Sequence, residues 1–186
     1  MVHAMEHKIW AVAAFTVYYV SSYILPDYLP ASYAWLGSLL RFLQVGRMYF
    51  WPALFMVIVG AHFPDFDLDF GARFHRSPIT HSFFIPLALF LFYLFQTPSP
   101  DILRLLAIFF LGYASHLLLD ILPSGASLFG RFTSIFQSYT PGDVRGIPEG
   151  MEKGWLVGSG LLTLALAVAY LFLAVHPELL TLLPHL

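Results

Sequence analysis

The chain has no cysteine among its 186 residues, which removes disulfide cross-links and thiolate metal sites together. Any metal would have to be held by histidine nitrogen and carboxylate oxygen. Charge is also scarce. Asp, Glu, Lys and Arg make up 11% of the residues, under half of the roughly 25% usual in a soluble domain. The formal net charge is −2, so there is no electrostatic footprint for nucleic acid. No HExxH stretch occurs, which leaves an intramembrane zinc protease without its helix motif. No tandem repeat or low-complexity segment is present.

What fills the chain instead is apolar: 59% of residues are hydrophobic, with 19 Phe, 10 Tyr and 4 Trp. This composition belongs in lipid. The expected fold class is all-α, a polytopic transmembrane helical bundle forming one integral membrane domain over residues 1–186. A membrane helix needs about 20 apolar residues. Five stretches come near that: Ile9–Leu25, Met48–Phe63, Ser82–Gln96, Ile102–Leu122 and Trp155–Val175. Tyr33–Gln44 is shorter and carries Arg41, so it reads as an interfacial or re-entrant helix. Lys8 followed by an apolar run resembles a signal peptide, but Glu6 and the prolines at 26 and 30 argue for a retained helix.

Proline and small polar residues punctuate these spans. Pro64 follows the second and Pro78 precedes the third. Thr97-Pro98-Ser99-Pro100-Asp101 is a turn, with Asp101 as the expected N-cap of the fourth span. Pro52 and Pro86 fall inside spans, where kinks are tolerated. With five spans, Lys8, Arg73, Arg76, Arg131, Arg145 and Lys153 lie on one side and Arg41, Arg47 and Arg104 on the other. The excess marks the first side as cytoplasmic.

Two polar stretches interrupt the apolar background. One runs Asp65-Phe66-Asp67-Leu68-Asp69, then His75 and His81; the other is Ser115-His116-Leu117-Leu118-Leu119-Asp120. Ionisable groups beside apolar segments are costly and mark function by default. Alternation of spans places both stretches at one membrane face. His116 and Asp120, four apart on a helix, point the same way. Mixed imidazole and carboxylate donors suit a divalent ion, Zn or Mn before others, in a site of one or two metals. His62, one turn before Asp65, is a candidate ligand, outer partner or general base. Arg73, Arg76 and Arg145 are candidate phosphate-binding groups, with Arg76 inside the site loop as the candidate catalytic cation. Thr80 and Ser82 read as outer hydrogen-bond donors or helix caps. His3, His7, His176 and His185 read as structural or interfacial residues.

Three segments together resemble the family of predicted membrane-bound metal-dependent hydrolases, which includes the LexA-regulated inner-membrane hydrolase group of bacteria and archaeal relatives. They are Pro64-Asp65-Phe66-Asp67, then His75-Arg76-Ser77-Pro78-Ile79-Thr80-His81-Ser82, then Gly112-Tyr113-Ala114-Ser115-His116-Leu117-Leu118-Leu119-Asp120. They match in order a PDxD turn, an HRxxxTHS stretch and an SHxxxD helix end. The resemblance implies ligand roles for Asp65, Asp67, His75, His81, His116 and Asp120. Asp69 lies outside the pattern, and Leu122-Pro123-Ser124-Gly125 lacks the threonine of the family's following turn.

The resulting expectation is a hydrolase of the prokaryotic inner membrane. It would cleave an amphiphilic phosphoester, a phospholipid or polyprenyl phosphate, through metal-activated water at the cytoplasmic face. Pro123–Gly154 could fold over the site as a lid. The rival readings are a transporter or a scaffold with a structural metal. A transporter would place its ionisable groups near the bilayer midplane, not at one face.

Overall fold

In a computed structural model, the structure describes residues 2–42, 44, 50–70, 77–96, 99–121, 144, 146–148 and 150–180. All regular structure among these is helical. The helices are α1 (Val2–Tyr23), α2 (Leu25–Tyr28), α3 (Ala34–Phe42), α4 (Phe50–His62), α5 (Phe84–Leu94), α6 (Pro100–Leu119) and α7 (Glu152–Val175). Tight 3-10 turns at Ala31–Tyr33 and Phe63–Phe70 precede α3 and follow α4.

Among the described residues, α6 and α7, with 20 and 24 residues, are long and apolar enough to cross a membrane. The 11 residues of α5 fall short of the expected third span, and α4 is described over 13 residues from Phe50, the five positions before it lying outside the described residues. At 1.5 Å per residue α5 reaches only about 16 Å, against a hydrocarbon thickness of about 30 Å. Tyr33–Gln44 resolves into the nine-residue α3, with an exposed ion pair of 3.0 Å between Arg41 and Asp27.

Helix α6 is the centre of the fold. It packs against α7 on one side and α4 on the other, with α1 closing over α4 and α6. Phe110, Tyr113, Leu117, Leu156 and Tyr170 fill the α6–α7 side, while Ala11, Phe15, Ala53, Val57, Ala61 and Ile108 fill the α1–α4–α6 side. Val17 is 66% and Phe55 65% exposed. Such outward apolar side chains suit a lipid-facing surface.

The α4–α6 contact sets the site. A Cβ on Gly60 would lie 2.9 Å from the Phe109 carbonyl carbon, and one on Gly112 2.9 Å from that of Val57. Only glycine permits this reciprocal backbone approach, as expected of small residues between membrane helices.

Helix starts differ in instructive ways from the sequence pattern. Ser99, not Asp101, caps α6: its side chain accepts from the Ile102 amide, while Asp101 pairs with Arg104 at 3.0 Å. Pro100 then occupies the first turn, where its missing N–H leaves no bond unmade. Pro52 and Pro86 are likewise the third residues of α4 and α5, so neither needs to kink its helix.

Candidate metal centre

The start of α1, the end of α4, the turn before α5, the end of α6 and the start of α7 meet at one end of the bundle. Successive long helices therefore alternate in direction. Four buried residues converge there: Asp65, His81, His116 and Asp120.

His116 is positioned by the close crossing of α4 and α6. Its Nδ1 lies 2.7 Å from the carbonyl oxygen of Ala61, the residue after Gly60. A carbonyl can only accept, so Nδ1 carries a proton, and Nε2 is the nitrogen turned to the carboxylates. That Nε2 is 3.6 Å from Asp65 Oδ1 and 3.5 Å from Asp120 Oδ2. It is buried and has no hydrogen-bond partner among the described residues.

His81 is fixed by a different chain of contacts. The Thr80 hydroxyl donates to Asp67 Oδ2 at 2.6 Å, which commits its only proton. Thr80 Oγ1 therefore accepts from His81 Nδ1 at 3.1 Å. The Ser77 amide also donates to Asp67 Oδ2, at 3.2 Å. His81 Nε2 then faces Asp120 Oδ2 at 3.4 Å and Asp65 Oδ1 at 4.0 Å. Burial pushes the His81 imidazole down to about 4, with Asp120 pulling the other way and His116 adding to the fall. It is thus neutral near pH 7, the form that binds a metal. The turn itself is pinned from two helices. Tyr113 of α6 donates to the Thr80 carbonyl, and Trp155 Nε1 of α7 donates to the His81 carbonyl at 2.9 Å.

Around the ring Asp65–His81–Asp120–His116, neighbouring donor atoms are 3.4–4.0 Å apart. These spacings are longer than ordinary hydrogen bonds, and each sets an imidazole Nε2 beside a carboxylate oxygen. With neutral imidazoles, such a buried arrangement is favourable when a cation lies between nitrogen and oxygen. A divalent ion with bonds of about 2.0–2.2 Å needs neighbouring donors about 3–3.5 Å apart; the two Asp120 spacings, 3.4 and 3.5 Å, meet this and the two Asp65 spacings, 3.6 and 4.0 Å, are wider. The donor atoms of Asp65, His81 and His116 lie within 4.8 Å of one another, and so do those of His7, His116 and Asp120.

Asp67 departs from the expected ligand role. Its Oδ2 lies on the Nδ1 side of His81, at 3.6 Å, behind the ring. The reason is the 3-10 turn. At about 120° per residue, positions two apart point in different directions, so Asp65 faces the ring while Asp67 faces Thr80. His62 is exposed in the last turn of α4 and does not join the cluster. His75, Arg73, Arg76 and Arg145 lie outside the described residues, as do positions 123–143, 145 and 149 of the proposed lid. The lid's end does have a described contact: Val144 is buried in the α6–α7 core.

One residue read as structural stands at the site. His7 Nε2 is 3.3 Å from Asp120 Oδ1, and its ring stacks on His116 with centroids 3.9 Å apart. Two signals pointed there. The start of the first span falls on the site face, and His7 lies on one helix stripe with the buried Ala11 and Phe15.

These features define a helical protein with membrane-length helices and a buried histidine–carboxylate cluster that could hold a metal. The chain belongs to the YdjM inner membrane protein family, whose family model matches residues 4–176. That range includes α1 to α7 almost entire and every residue of the ring. It agrees with the expected inner-membrane group, though the family description names a membrane and not a reaction. No curated protein matches the chain, and no solved structure does.

Proposed function

We propose that this protein is an integral membrane metallohydrolase acting on an amphiphilic phosphoester, a phospholipid or a polyprenyl phosphate, at the cytoplasmic membrane surface. The observation that carries the reading is the buried ring of Asp65, His81, Asp120 and His116, in which both imidazoles turn Nε2 toward carboxylates at 3.4–4.0 Å. The alternating direction of α1, α4, α5, α6 and α7 supports a five-span bundle, with α3 at the opposite interface. The positive excess on the site side supports its cytoplasmic placement.

The four ring residues would hold one divalent ion, Zn or Mn, and a second if His75 completes another position. The ion would supply Lewis acidity and an acidified water. The chain's own groups prepare the site. Ala61 fixes the His116 ring, and Thr80, held by Asp67, fixes His81, so both lone pairs are aimed before a ligand arrives. In this reading Arg76 would stabilise charge developing on the phosphoryl group, Arg73 and Arg145 would bind its oxygens, and His62 or one of the Asp residues would act as general base.

The near-complete burial of the ring favours a second reading, a structural metal in a non-catalytic membrane protein. Phosphate release from detergent-solubilised phosphatidate and polyprenyl diphosphate separates the two. Turnover that chelation abolishes, that metal restores and that Asp65→Ala lacks supports the hydrolase. Bound metal without turnover on either substrate supports the structural role.

A further inference from the structure

His7 sits across Asp120 from His81. Asp120 turns Oδ2 toward His81 and His116, at 3.4 and 3.5 Å, and Oδ1 toward His7 Nε2, at 3.3 Å. The other ring nitrogen of His7, Nδ1, is buried and has no hydrogen-bond partner among the described residues. The His7 and His116 rings are stacked, with 23° between their planes. Packing alone gives no reason for an imidazole at this place, since an apolar ring would stack there without burying an unsatisfied nitrogen.

The position of His7 is also fixed. Ala11 and Phe15, one and two turns further along α1, are buried against Ala53, Val57, Ala61 and Ile108. This stripe turns the His7 side chain to the end of α6. The His7 side chain is 13% exposed, whereas those of His81 and His116 are fully buried. His7 therefore stands at the more open edge of the cluster.

We infer that His7 is a further ligand of the metal centre, delivered by α1, with Asp120 using one oxygen on each side. The inference rests on the reading that the ring holds a divalent ion. It gives α1 a role beyond packing: the metal joins the first helix to the ends of α4 and α6 and to the turn before α5. The centre then has donors from four separate segments, and its formation depends on their assembly.

The test uses the full chain purified in detergent and loaded with Zn²⁺. X-ray absorption counts the imidazoles in the metal shell, and titration gives the affinity. His7→Phe keeps a ring to stack on His116 and removes the nitrogens. It is expected to show one imidazole fewer than the unsubstituted protein and an affinity lower by about 10–100-fold or more. His7→Gln, which keeps a donor toward Asp120, is expected to lose the same imidazole, so the result does not depend on one variant folding. An unchanged imidazole count in either folded variant overturns the inference and leaves the ring reading intact. Absence of bound Zn²⁺ in the unsubstituted protein instead overturns the ring reading on which it rests.

Discussion

Gly60→Ala is the most informative single substitution, because it touches no donor atom and yet should weaken the metal centre. The added methyl would collide first with the Phe109 carbonyl oxygen, and would lie 2.9 Å from that carbonyl carbon and 3.1 Å from the Tyr113 amide nitrogen, where ordinary contact begins at 3.4 Å. Both neighbours are backbone, so no side chain can rotate aside. Helices α4 and α6 must part by roughly 1 Å to restore normal contact. The Ala61 carbonyl moves with Gly60, and His116 moves with α6. Their 2.7 Å hydrogen bond would stretch to about 3.7 Å, beyond the usual limit. His116 would lose the partner that fixes its ring and tautomer, an effect worth about 10–100-fold in metal affinity. The assay is Zn²⁺ titration of the purified protein beside its thermal unfolding. Gly158→Ala is the control, since a Cβ there meets nothing within 4 Å. It should bind as the unsubstituted protein does. Unchanged affinity in a folded Gly60→Ala protein would refute the claim that the helix crossing positions His116.

Two further outcomes follow from the same geometry. Thr80→Val keeps the shape and removes the hydroxyl that links Asp67 to His81, so metal affinity should fall about 10–100-fold while Thr80→Ser stays near the original; equal affinity in all three proteins would show that Thr80 does not orient His81. Because the chain has no native cysteine, Met151→Cys at the site end and Tyr33→Cys at the other end report topology cleanly. An impermeant thiol reagent added to intact cells should label the residue at 33 and reach the residue at 151 only after permeabilisation, and labelling of both from outside would contradict the alternating arrangement.

Much of this organisation was legible in the residues. Pro64 and Pro78 bracket the connection between the second and third apolar stretches because proline cannot continue a helix. The four-residue spacing of His116 and Asp120 places both on one helix face, and their atoms do approach within 3.5 Å. The short apolar stretch with Arg41 does form a separate short helix. Three features escaped for physical reasons. The extent of α5 depends on turn geometry at both ends, so its helix stops short of the apolar run. The divergence of Asp65 and Asp67 arises from a 3-10 turn, which an acidic run does not announce. The reciprocal approach at Gly60 and Gly112 is a property of two helices together, and neither glycine signals it alone. The place of His7 beside the cluster was not legible because a lone histidine near a chain end has no local partner in the sequence; the residues it meets are 109 and 113 positions away.

The central claim is that the buried ring of Asp65, His81, Asp120 and His116 is a metal centre. Its most direct test is elemental analysis of the purified full-length protein after dialysis with Zn²⁺ or Mn²⁺ and removal of free ion, set against His116→Ala treated identically. The account predicts at least one equivalent of divalent metal per chain in the unsubstituted protein and a substantial loss in the variant. A folded, unsubstituted protein that retains neither metal, or a His116→Ala protein that retains as much, would contradict it.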